Sequence, residues 1–320
     1  MPTKMECDLL VVGSGPAGMS AAINGASEGL RVCMIDGNEH LGGQARESNA
    51  IENYAGFPEG ITGLDLMNRF VSQATKFDTK IHCPVRAVEL RDEGDMRVVT
   101  AEDYTEYRAK TVLLSLGLSY RRLEAENLGQ YMGRGVYYGL PSGSLASNKK
   151  CRIVVIGGAN SAGQAVLRMA QNKNAQITML IRSAITNQMS KYLIDRIKEL
   201  PNCEVREGVT MEHCIGGAHG LTHIGVSDGS KICTDSVHIF IGAVPKTRWV
   251  EGTLDLDAKK FLRTWQDLTV PADYAESLPY ETSMKGVFAA GDVRVGSVKR
   301  IASAIGEGAT ALQMIHQRLG

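Results

Sequence analysis

Short apolar runs broken by glycine open the chain. Asp8–Val12 is apolar, Gly13-Ser14-Gly15-Pro16-Ala17-Gly18 interrupts it, and Met19–Glu28 is alanine-rich and helix-compatible. Arg31–Ile35 is a second apolar run and ends at Asp36. Strand, turn, helix and strand in that order make a βαβ unit, whose strands lie parallel in one sheet. The same pattern begins again near Cys151. Arg152–Ile156 is apolar, Gly157-Gly158-Ala159-Asn160-Ser161-Ala162-Gly163 is the turn, Gln164–Gln171 reads as helix and Ile177–Ile181 as the next strand. Recurrence half a chain apart predicts a duplicated architecture, not a short-period repeat.

Between these units, Val98–Glu106 and Thr111–Leu116 read as strands. The stretch 129–150 is rich in Gly, Ser and Asn and reads as a connector. Near the end, Gly286–Ala290 is an apolar strand running into Gly291-Asp292. Ser303–Leu319 reads as helix, with a glycine turn at Gly306-Glu307-Gly308 in or before its start. The expected class is α/β, with two Rossmann-like three-layer dinucleotide-binding domains. One is discontinuous, 1–118 with 244–320, and the other is 119–243.

Composition narrows the function classes. Lys+Arg and Asp+Glu are both 35, so neither nucleic acid nor an anionic membrane is expected as a partner. The first apolar stretch runs straight into a glycine turn and reads as a strand, not a signal peptide. No apolar run approaches the ~18 residues of a membrane span. The seven cysteines are scattered, and no two are separated by only two residues. That argues against a secreted disulfide framework and for a reducing, cytoplasmic setting. No metal site is expected.

The first glycine loop fits the full dinucleotide fingerprint. Gly13 permits the tight turn, Gly15 lets backbone amides approach a pyrophosphate, and Gly18 lets helix pack on strand. The helix N-terminus at Pro16 and Ala17 offers N–H groups and a partial positive charge to phosphates. Asp36 stands where a carboxylate would take a ribose diol. The second loop, with Gly157, Gly158, Asn160, Ser161 and Ala162, has the same context but no acid after its second strand. Arg182 stands there instead, which favours a 2′-phosphate and so NADPH over NADH. An arginine with no such role is the alternative.

The order of motifs resembles the low-molecular-weight thioredoxin reductases and related flavoproteins over essentially the whole chain. The matching stretches are Val11–Gly18, Leu41-Gly42-Gly43-Gln44, Glu52–Pro58, Gly133-Arg134-Gly135-Val136, the second glycine loop and Phe288–Val293. The resemblance implies FAD and a nicotinamide nucleotide. Gly13, Gly15, Gly18 and Asp36 would hold the adenosine diphosphate half of FAD. Gly42, Gly43 and Gln44 would lie along the flavin and ribityl chain, and Asn53 at the isoalloxazine edge. Val85 and Gly117 would complete the FAD site. Gly291 and Asp292 would bind the ribityl–phosphate region, and the Lys299-Arg300-Ile301 segment would present amides to the flavin pyrimidine. Asn160, Ser161 and Ala162 would face the nicotinamide nucleotide's pyrophosphate. Asn53 as a turn cap, Asp292 or Ser161 as helix-end residues, and Lys299 with Arg300 as an exposed basic pair are the plain alternatives. The family also implies a homodimer.

One departure changes the expected chemistry. These reductases carry Cys-x-x-Cys shortly after Gly-Arg-Gly-Val. Aligned from Gly135, those positions are Gly139 and Ser142, and neither can form a disulfide or a thiolate. The family also carries two arginines where this chain has only Arg182. The leading expectation is an NAD(P)H-linked flavoprotein oxidoreductase passing electrons directly to a redox protein, a quinone, dioxygen or another small molecule. The ferredoxin version is disfavoured, because the chain stops at Gly320 without an aromatic extension. A flavin-binding protein without NADPH turnover and a reductase borrowing a disulfide from another chain are the other expectations.

Overall fold

The computed structural model describes residues 3–48, 51, 53–139, 150–218, 220–268 and 277–320. The chain forms two compact units, one from Met1–Ser119 with Val244–Gly320 and the other from Tyr120–Ala243.

The first unit is built on a seven-stranded sheet. Its parallel strands are Lys80–His82, Val32–Ile35, Lys4–Val12, Glu106–Leu114 and Val287–Ala289. An antiparallel extension, Ala87–Glu93 and Met96–Ala101, pairs with the first half of Glu106–Leu114. Two short strands, Leu118–Tyr120 and Ala243–Pro245, form a separate pair. The central strands are buried on both faces, so they read as continuous apolar runs. Leu9 and Val11 face the helices Pro16–Ser27 and Ile301–Leu319 through Met19, Ala22, Leu312 and Ile315. Leu10 and Val12 face Val99, Val250, Leu254 and Leu262.

The second unit carries a parallel five-stranded sheet in the order Cys203–Glu207, Ala175–Ile181, Cys151–Ile156, Ser236–Ile239 and Val136–Tyr138. Ile153 and Val155 pack on Val166 and Met169 of the helix Asn160–Met169. Val154 and Ile156 pack toward Ile224 and Val226 of an antiparallel sheet, Met211–Gly217, Gly220–Val226 and Lys231–Cys233. Helix, parallel sheet and antiparallel sheet are the three layers of this unit. The paired Rossmann-like, α/β architecture expected from the repeated pattern is the observed one.

Three local expectations are corrected. Val98–Glu106 is not one strand, because it spans the end of Met96–Ala101, a turn with Tyr104 at φ 65°, and the start of Glu106–Leu114. The stretch at 129–150 is not only a connector. It contributes Val136–Tyr138 to the edge of the second sheet, held by register to Val237, His238 and Ile239. Gly306-Glu307-Gly308 is not a turn but the interior of Ile301–Leu319. Gly308 is there for close packing, since a Cβ on it would lie 2.1 Å from the Ala17 carbonyl oxygen. Among the described residues, no helix is long and apolar enough to cross a membrane.

The end of that last helix is pinned by a buried ion pair. Glu281 is fully buried and accepts from Arg318 Nε at 3.0 Å and from Gly286 N at 2.7 Å on one oxygen. Its other oxygen accepts from Arg318 Nη2 and from Leu278 N at 3.1 Å. Breaking one side of a buried pair leaves an uncompensated charge. Glu281→Gln is therefore expected to lower unfolding free energy by about 3 kcal/mol, read from the urea midpoint. A loss near zero would show that the pair is solvated.

Candidate functional site

The first glycine loop is shaped by contacts that exclude side chains. Gly13 has φ +105°, and a Cβ there would lie 2.4 Å from the Ser115 carbonyl oxygen. Ser115 Oγ lies 2.7 Å from Gly13 O and donates to it. A Cβ on Gly18 would lie 2.0 Å from Gly13 O, so the helix starts flush against the turn. Gly15 opens onto free space, with nothing within 4 Å of its absent Cβ. Pro16 is the first residue of the helix, no side chain caps that end, and Ala17 is buried in its first turn. A helix end of this kind offers N–H groups to an anion.

Three further turns gather around this loop. A Cβ on Gly43 would lie 3.2 Å from Gly15 Cα, and one on Gly291 would lie 3.0 Å from Ala17 Cβ. Gly42, at φ +112°, donates its N–H to Ser14 Oγ at 3.0 Å. Asp36 is buried. Its Oδ2 accepts from Ser14 N at 2.7 Å and Ser14 Oγ at 2.6 Å, and its Oδ1 from Asn38 N at 2.8 Å and Asn38 Nδ2 at 2.6 Å. The Asp36 carbonyl accepts from Val85 N at 2.7 Å, which sets Val85 beside the acid. Gln44 and Asn53 are exposed, and Gly117 follows Glu106–Leu114 with φ +61°.

Gly291 N donates to Glu307 at 2.8 Å, and Arg294 and Ser297 Oγ donate to the same carboxylate. Burial pushes the Asp292 carboxyl up, while Lys299 pulls it down. Lys299 Nζ donates to the Asp292 carbonyl at 3.1 Å and lies 4.8 Å from the Phe261 ring centroid. Burial holds the Lys299 ammonium below its ordinary range. Arg300 is exposed just before the last helix, and Ile301 begins it. Gly13, Gly15, Pro16, Ala17, Gly18, Asp36, Gly42, Gly43, Gly291 and Asp292 thus converge on one end of the sheet. Ser14, Ser115 and Glu307 also belong to that cluster and were not singled out. Their signal was polar residues inside apolar or glycine contexts, such as a glutamate between two helical glycines.

In the second unit, a Cβ on Gly157 would lie 2.4 Å from Phe240 O, and one on Gly158 2.8 Å from Ile181 Cγ2. The turn therefore seats against its sheet as the first does. Ala162 is buried and Ser161 exposed. Asn160 is fastened sideways, because Ser190 N donates to its Oδ1 at 2.8 Å and its Nδ2 donates to Ser190 Oγ at 3.0 Å. Arg182 is exposed just after Ala175–Ile181.

Gly139 has φ +81°, where glycine is favoured, and Ser142 lies outside the described residues. The Gly139 carbonyl accepts from the Nδ1–H of buried His238 at 3.1 Å. Nε2 then accepts from Ser236 Oγ at 3.2 Å, and Tyr137 stacks on the ring at 5.4 Å. Burial holds the His238 pKa below its ordinary 6.5. The unfolded chain therefore takes up this proton first as pH falls, and stability present above about pH 6.5 is lost below it. Between pH 7 and 5, unfolding free energy is expected to fall less steeply in His238→Asn than in the natural chain. Equal slopes would show that the ring titrates alike folded and unfolded.

Comparison with known proteins bears on this arrangement. A flavoprotein-sized match comes from the alkyl hydroperoxide reductase of Pseudomonas putida, one of whose component chains is 32% identical over 96% of this chain and 57% of its own length. The chain therefore spans little more than half of that relative. A 34.2 kDa protein in the rubredoxin operon of Clostridium pasteurianum is 26% identical over 100% of this chain and 99% of its own. The thioredoxin reductase of Streptococcus pyogenes superposes with TM-score 0.81 at 27% identity, covering 98% of each chain. The Giardia duodenalis enzyme shares the fold, with TM-score 0.82 at 20% identity over 98% and 99%. The family model for pyridine nucleotide-disulphide oxidoreductases matches residues 7–308, and the chain belongs to that family.

Proposed function

We propose that the discontinuous unit binds FAD and the inserted unit binds NAD(P)H. In this reading the chain passes electrons from flavin directly to an acceptor, without an active-site disulfide. The convergence of the Gly13–Gly18 loop, the Gly42-Gly43 turn and the Gly291-Asp292 turn carries the flavin reading. Open space at Gly15 beside an uncapped helix end suits a pyrophosphate. Bound flavin supplies hydride acceptance and electron release. The chain's own residues orient it. Gly43 and Gly291 bring backbone close to the loop, and Lys299 sets a positive charge beside Asp292.

Family membership supports a nicotinamide nucleotide as the donor. Arg182, after the second strand of the inserted unit, supports NADPH through its 2′-phosphate. The absence of any Cys-x-x-Cys in the sequence supports direct transfer to a redox protein or a small molecule. A second reading, flavin binding with little turnover on NAD(P)H, is favoured by the side-chain tie of Asn160 to Ser190, which takes Asn160 away from a phosphate.

Anaerobic addition of NADPH separates the two. Bleaching of the flavin's visible band within seconds is the expected result, and no bleaching with NADPH or NADH over many minutes would favour the second reading. Arg182→Ala is expected to raise KM for NADPH about tenfold and leave KM for NADH unchanged, as loss of one charge-assisted contact predicts. An unchanged ratio removes the arginine from nucleotide selection.

A further inference from the structure

The carboxylate of Asp36 has about four acceptor positions. The chain itself fills all of them, at 2.6–2.8 Å, from Ser14 N, Ser14 Oγ, Asn38 N and Asn38 Nδ2. We infer that Asp36 is a positioning residue that locks the loops of the flavin site together, and that the adenosine ribose diol is not recognised by it. This inference rests on the FAD reading of the discontinuous unit.

A ribose hydroxyl reaching Asp36 would have to displace one of these donors. Ser14 is wholly buried, so a displaced Ser14 N–H would be left without a partner. Leaving a buried donor unpaired costs more than an exchanged hydrogen bond returns. The acid is also held from behind. Its own N–H donates to His82 O at 3.2 Å, and its carbonyl accepts from Val85 N at 2.7 Å. An aspartate is short, so the carboxylate stays close to this fixed backbone and cannot swing outward.

The network explains what Asp36 does instead. Ser14 Oγ uses its one hydrogen on Asp36 and accepts the Gly42 N–H at 3.0 Å. The hydroxyl therefore joins the first glycine loop to the Gly42-Gly43 turn. On the other oxygen, Asn38 is drawn in, and its carbonyl accepts from Cys83 Sγ at 3.0 Å. Three loops at the end of the sheet thus share one buried charge. The dinucleotide would be held by its phosphates and flavin, with the ribose making no bond to the acid.

The test uses apoprotein prepared from the full chain and two probes. One is FAD, and the other is the FAD analogue whose adenosine carries 2′,3′-dideoxyribose. Dissociation constants from flavin fluorescence are expected to agree within about twofold. An analogue bound about tenfold or more weakly would overturn the inference, since that is the least that losing hydrogen bonds to a carboxylate should cost. Binding of neither flavin would overturn the FAD reading and this inference with it. Ser14→Ala is expected to weaken both ligands by the same factor, about tenfold, and to change the visible circular dichroism of bound flavin. Weakening of FAD alone, with the dichroism unchanged, would count against the positioning role. If Ser14→Ala fails to fold, the ratio measured on the natural chain decides.

Discussion

The close approach of Gly13 to Ser115 is the constraint on which the flavin-type site depends. At 2.4 Å from a carbonyl oxygen, no Cβ can exist at that turn. Because the turn can sit there, Lys4–Val12 and Glu106–Leu114 pair in register up to Val12 and Leu114. The helix Pro16–Ser27 then begins directly over their ends, helped by the equally tight contact at Gly18. Loosening that contact would move the helix terminus, and with it every amide aimed at a phosphate. The inserted unit repeats the device with Gly157 against Phe240.

Packing alone would not fix the surrounding loops, which have few apolar residues. Buried carboxylates fix them instead. Asp36 gathers Ser14 and Asn38, Glu307 gathers Gly291, Arg294 and Ser297, and Glu281 gathers Leu278, Gly286 and Arg318. Each charge is buried only because several donors converge on it. The three acids serve three different loops, and each loop lacks regular backbone hydrogen bonding of its own. Such loops are positioned as firmly as secondary structure while keeping open space beside Gly15.

Where thioredoxin reductases carry the first cysteine of their redox pair, this chain places Gly139 in a left-handed conformation over a neutral histidine. Neither group stores an electron pair. Whatever accepts electrons from the bound flavin must therefore do so without a thiol at that position.

Both βαβ units were legible in the sequence because their apolar runs and glycine spacings are local, and each reflects a strand buried on two faces. Element limits were less legible. The pattern began the first helix at Met19, whereas it begins at Pro16, since a proline and glycines carry no apolar periodicity. The strand Val136–Tyr138 was missed because its partner, Ser236–Ile239, lies a hundred residues away. Gly306 and Gly308 suggested a turn, and only the helix crossing at Ala17 shows why glycine is needed inside a helix. The sequence by itself determined the fold class, the two loops and the lack of a cysteine pair, because those follow from residue type and near spacing. Only the tertiary structure decided that Asp36 turns inward to Ser14 and Asn38, because a carboxylate's partners depend on which donors folding brings within about 3 Å.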